Sequence, residues 1–168
     1  MRLLIAALAL ALAGATPALA QSLSANTALA LDDRVVKFVT IEDLKAIIVA
    51  DGHTVLAVGE LGATSVKAKT REGLVFDLIG TACTEPGVPG CLGISMQVRY
   101  DIDSRLTYEK INRVNTRYWP VSVWIDYEKK ILAITRYVIL DDGISMRNIK
   151  VNLINLLAIN AAVEKEVW

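Results

Sequence analysis

The chain has 168 residues, with 18 basic and 18 acidic side chains, one histidine, and 54% hydrophobic residues. That length favours one domain around one core. The balanced, mixed-sign charge gives no electrostatic footing for nucleic acid or an anionic membrane surface, and one histidine allows at most one imidazole base.

The chain opens with Met1-Arg2, a positive start, followed by an unbroken apolar run from Leu3 to Leu12. Ala15-Thr16-Pro17-Ala18-Leu19-Ala20 then places small residues at −3 and −1 before Gln21. This pattern is that of a secretory signal peptide over residues 1–20. The apolar run is too short for the ~20 residues of a membrane span, and Pro17 interrupts it. No cysteine stands at the cleavage position for a lipid anchor, and no arginine pair signals twin-arginine export. The expected product is a periplasmic or secreted protein beginning at Gln21. Only Arg2 among charged residues is lost, so 17 basic side chains (18 minus 1) face 18 acidic ones, a formal charge of −1. No later apolar stretch is long enough to span a bilayer.

Residues 21–39 are expected to form a loosely ordered leader, polar and alanine-rich at first. Val35–Val39 reads either as a short strand or as chain packed beside the first helix. Thr40 opens that helix as N-cap, with Asp43 at N3 and Ile41, Leu44, Ile47 and Ile48 on one face. Asp51-Gly52 ends it. The period then changes to two: strands are expected over residues 54–58, 65–70 and 74–79, with turns at Leu61-Gly62 and Arg71-Glu72-Gly73.

Cys83 and Cys91, the only cysteines, enclose a segment rich in proline and glycine. In an oxidising compartment a pair this close reads as a structural disulfide, tying a hairpin with a ring worth roughly 2–3 kcal/mol. A redox-active or metal-binding pair is the rival reading, but C-x-x-C spacing is missing and no histidine lies nearby in sequence. Residues 94–100 alternate cleanly: Ile94, Met96, Val98 and Tyr100 point one way, and Ser95, Gln97 and Arg99 are expected to face water. A helix follows to about Thr116, then strands over 121–127 and 131–140, the latter apolar on both faces and so expected near the sheet centre or covered twice. Ser145 caps a final helix to about Glu166, with Ile149, Leu153, Leu156, Leu157 and Val163 as its core stripe. Val151, Ile154, Ala158 and Ala162 extend its apolar surface, and Asn148, Asn152 and Asn155 form a polar seam. The fold class expected is α+β: an antiparallel sheet of about five strands with flanking helices.

Four segments carry a family resemblance, one of them the expected strand from Leu74 to Ile79 leading into the cysteine loop. Thr40-Ile41-Glu42-Asp43-Leu44 opens a helix ending at Asp51-Gly52-His53. Ile111-Asn112-Arg113-Val114-Asn115 is followed by Val123-Trp124-Ile125-Asp126. Asp142-Gly143-Ile144-Ser145 leads into the long apolar helix. Over residues 40–168 the chain resembles the YbjN-domain family of bacterial sensory transduction regulators, whose fold is similar to type III secretion chaperones. The resemblance implies no known enzymatic reaction, a fold suited to gripping peptides or partner proteins, and a tendency to self-associate.

Chemistry-bearing patterns are sparse. His53, after a helix-ending glycine, reads as a surface or strand-edge residue rather than a ligand. No serine-nucleophile frame and no phosphate-binding glycine loop occurs, and no cofactor or metal is expected. The acidic pairs Asp32/Asp33, Asp101/Asp103 and Asp141/Asp142 invite a glycosidase or calcium reading, but each sits where aspartate serves turns and caps. Tyr118, Trp119 and Trp124 gather around Pro120; they form either a partner-binding pocket or core cover for the sheet. The function expected is a non-enzymatic exported binding or regulatory protein recognising a protein or peptide, with a possible homodimer through the sheet or the last helix. The alternatives are an envelope hydrolase with a carboxylate-based site, and a small-molecule or lipid binder with an enclosed apolar cavity.

Overall fold

The computed structural model describes residues 31–84 and 86–168. The expected signal peptide, residues 1–20, and the leader up to residue 30 lie outside the described residues. Strand β1 (Val35–Val36) pairs antiparallel with β8 (Ile144–Ser145). Val36 and Val39 are buried, and Val39 exchanges backbone hydrogen bonds with Cys91, both 2.9 Å.

Helix α1 (Ile41–Ala50) starts in a full capping box. The Asp43 amide donates to Thr40 Oγ1 at 3.3 Å, and the Asp43 carboxylate accepts from the Thr40 amide at 2.9 Å. Burial pushes the Asp43 pKa up, but the Thr40 donors and the paired Arg34 guanidinium outweigh it and hold the carboxyl below the ordinary aspartate value. The helix ends at Gly52, whose φ of +78° only glycine adopts without strain. A Cβ there would also come 2.4 Å from the Arg71 guanidinium.

The main sheet is wholly antiparallel, in the order β2-β3-β4-β5-β7-β6. Its strands are β2 (Thr54–Val58), β3 (Ser65–Lys69), β4 (Val75–Thr81), β5 (Gly93–Asp101), β6 (Ser122–Asp126) and β7 (Ile131–Ile139). Six strands stand in the main sheet where about five were expected; four of them precede α2 (Tyr108–Arg117), within the three or four that the sequence pattern allows. Helix α3 (Met146–Val167) closes the chain. The α+β class is as expected.

One face of the sheet carries the core. Phe76, Leu78, Ile94, Met96, Leu132 and Ile134 are fully buried there, against Leu44, Ile47 and Ile48 of α1 and Ile149, Leu153 and Leu156 of α3. At about 25 cal/mol per Å² of apolar area, this stacking is the main stabilising term. Among the described residues, no helix lies across the opposite face. Strand β7 is therefore interior to the sheet but not covered twice: Tyr137 and Ile139 are exposed on the bare side while Val138 is buried on the other.

A candidate partner-binding surface

Because side chains alternate along a strand, the bare face is set by the residues between the core positions. Register places Lys67, Asp77, Gln97, Thr135 and Ser122 in one row across five strands. A second row runs through Ile79, Ser95 and Tyr137, and a third through Arg99, Ala133 and Trp124. Trp124 is 38% exposed, Tyr137 56% and Ile139 66%, so three large apolar side chains lie open on a sheet face. Tryptophan and tyrosine are the residues that most often anchor protein interfaces.

The polar groups between them are ordered. Gln97, expected to face water, is only 8% exposed. Its Nε2 donates to Ser95 Oγ at 2.8 Å, and its Oε1 accepts from Arg99 Nε at 2.9 Å and NH2 at 2.6 Å, so the amide is satisfied without solvent. Asp77 is 5% exposed, and among the described residues no hydrogen bond reaches its carboxylate. Burial pushes its pKa up, against the opposing pull of Arg99 and Lys67. Lys67 turns instead to Glu60, a pairing that raises the lysine pKa.

The three aromatic residues singled out around Pro120 do not form one cluster. Trp124 belongs to the bare face. Tyr118 packs against the core, donates its hydroxyl to Glu166 Oε1 at 2.7 Å, and has its pKa raised by that bond. Trp119 is 85% exposed, with its indole nitrogen donating to the Thr116 carbonyl at 2.6 Å.

Cys83 and Cys91 are bridged, closing the β4–β5 hairpin just beyond the Thr81–Gly93 pair. His53 sits deeper than a surface position: its side chain is 12% exposed and meets the Phe76 ring edge-on, with centroids 5.3 Å apart. Its Nε2 is 3.0 Å from Asp51 Oδ2, yet neither ring nitrogen has an aligned hydrogen-bond partner. The acidic pairs are dispersed. Asp32 and Asp33 hold Lys150 and Arg147 of α3 at 2.9 and 3.0 Å, while Asp103 binds Arg105 at 2.5 Å. Among the described residues, no three His, Cys, Asp or Glu side chains converge on a metal-sized site. No helix among them is long and apolar enough to cross a membrane.

The two rims of the sheet differ. At β6, helix α2 runs alongside, and the Asn115 carboxamide acts as a surrogate strand. Its Nδ2 donates to the Val123 carbonyl at 2.9 Å, and its Oδ1 accepts from the Val123 amide at 2.8 Å. Tyr108 and Tyr127 meet edge-on 5.8 Å apart at the far end of α2. The other rim, β2, pairs only with β3 in the described structure and carries a register shift between Val55 and Ala57.

The sequence matches the YbjN family, "Putative bacterial sensory transduction regulator", over residues 70–164. That span covers β4 to most of α3, including the bare-face residues Asp77, Gln97, Trp124 and Tyr137. No curated protein matches the chain in sequence. A chain in the solved structure "Crystal Structure of the ExsC-ExsE Complex" is similar to it, with a TM-score of 0.53 and 13% identity. The match covers 76% of this chain and 92% of that one. At that identity the likeness is one of fold.

Proposed function

The chain belongs to the YbjN family, and on that premise we propose that it is a non-enzymatic exported protein that recognises a protein or peptide partner. The observation that carries this reading is the bare sheet face, where Trp124, Tyr137 and Ile139 stand exposed around an ordered polar row. A large apolar set rimmed by polar groups on a soluble fold is characteristic of an interaction surface. The similar fold in the ExsC-ExsE complex is that of a protein crystallised with another protein, which supports the same class of role.

Export to the periplasm rests on the pattern of residues 1–20 and is consistent with the Cys83–Cys91 pair. N-terminal sequencing of the protein recovered by osmotic shock should begin at Gln21; an intact Met1 in the cytosolic fraction would refute export. Self-association belongs to the proposal as well, through Val151 and Ile154 on the outer side of α3, each 46% exposed.

The test of the binding surface compares capture from envelope extract by the natural protein and by a Trp124→Ala/Tyr137→Ala variant. A protein retained by the first and lost from the second supports the reading. Equal retention by both, with the variant folded by circular dichroism, refutes it. The same comparison with Trp119→Ala asks whether that exposed indole contributes.

A further inference from the structure

At the end of the sheet where β4 returns into β5, the cysteine ring faces the chain before α1 across a groove of about 310 Å³. Phe38, Val88, Pro89 and Leu92 give it apolar walls, and Asp141 and Asp142 stand on its rim with Lys37. The groove is fastened on three sides. The disulfide closes the ring, Val39 and Cys91 exchange backbone hydrogen bonds, and the Leu140 amide donates to the Leu92 carbonyl at 2.9 Å. The ring lies so close to the Phe38-Val39 chain that a Cβ on Gly90 would come 2.5 Å from the Val39 carbonyl oxygen.

Charge identifies the occupant. Asp32, Asp33 and Asp103 are neutralised by neighbouring cations, but Asp141 and Asp142 are exposed and make no ion pair among the described residues. Two adjacent carboxylates at the mouth of an apolar groove complement a cation carried next to an apolar group. Lys37 lines the same groove. A volume of about 310 Å³ is at the small end of ligand pockets, the size of one or two side chains. Proline lacks an amide hydrogen, so Pro89 removes a backbone donor from this wall and favours recognition by side chains.

We propose that this groove binds an extended segment of a partner protein, with an apolar side chain between Phe38 and Leu92 and an adjacent lysine or arginine at Asp141 and Asp142. The site is separate from the bare sheet face, so either can fail without the other.

The test is an amide-resolved NMR titration of the oxidised protein at low salt. Two capped peptides, acetyl-Gly-Leu-Arg-Gly-amide and acetyl-Gly-Leu-Glu-Gly-amide, serve as probes. The basic peptide is expected to shift the amides of Phe38, Leu92 and Gly143, and to bind about three- to tenfold more tightly than the acidic one. Asp141→Asn/Asp142→Asn, which keeps the turn because asparagine tolerates the positive φ at residue 142, is expected to erase that preference. No shift at these amides up to millimolar peptide, equal affinity for both peptides, or an unchanged preference in the variant would each overturn the proposal.

Discussion

Opening the Cys83–Cys91 bridge in the folded protein is the most quantitative test of how the hairpin is held. The cysteines are eight positions apart, and the loop-entropy relation gives about 2.5 kcal/mol at 25 °C for a ring of that size. The native ring keeps its place by other means, through the Val39–Cys91 backbone pair and the Leu92 amide donating to the Ala82 carbonyl at 3.2 Å. The bridge therefore acts chiefly by restricting the unfolded chain. For a folded body spanning residues 31–168, unfolding entropy near 0.3 kcal/mol/K converts that loss to a fall in Tm of about 8–9 °C. Calorimetry of oxidised and reduced natural protein, with reduction verified by a mass gain of two hydrogens, measures it without changing any side-chain volume. A Cys83→Ser/Cys91→Ser variant is expected to lose more, because Cys91 is fully buried and serine would set a hydroxyl in its place. Identical melting of the oxidised and reduced forms would refute the entropic argument.

Two further changes probe the sheet. Asn115→Ala leaves the Val123 amide and carbonyl without their partner, and urea unfolding is expected to show a loss of about 1–3 kcal/mol; no loss would mean that water replaces the carboxamide at no cost. Asp77→Asn tests the buried carboxylate. The folded pKa of Asp77 is raised above the ordinary 3.8, chiefly by burial, so the folded state holds the proton more tightly than the unfolded chain. The aspartate's contribution therefore falls as pH rises through 3.8 toward the folded pKa. The asparagine variant should melt higher than the natural protein at pH 7 and alike below pH 3.8. A lower Tm at pH 7 would show that the Lys67 and Arg99 charges outweigh the burial.

Local signals were legible where the physics is local. Thr40 and Asp43, three residues apart, mark an N-cap and its N3 position, and the structure joins the two in a full capping box. The period of two in residues 94–100 places Ile94, Met96 and Val98 in the core. The same period misplaced Gln97, because its burial depends on Ser95, Arg99 and Asp77 meeting it across and along strands. Asn160 was missed as well: it occupies a core position of α3 at 2% exposure, with its Nδ2 donating to the Tyr100 hydroxyl at 2.7 Å. Tyr100 gives no sequence sign of that contact, being sixty residues away. Trp124 looked like a companion of Tyr118 and Trp119 because the three are neighbours in the chain. The strand parity of β6 sends it to the side opposite Val123, and among the described residues that side is uncovered because α1, α2 and α3 all contribute their buried residues to the core on the other face. The role of Asn115 needed the sheet order, since it matters only when β6 is outermost.

The unequal rims also limit how copies of this molecule can join. Edge-to-edge growth of sheets into fibres needs a free margin on both sides of every unit, so that each newcomer presents another. Here the carboxamide of Asn115 and the body of α2 shut one margin. Among the described residues, pairing along the remaining margin of this sheet, β2, uses up its free edge, and so this mode of joining stops at two.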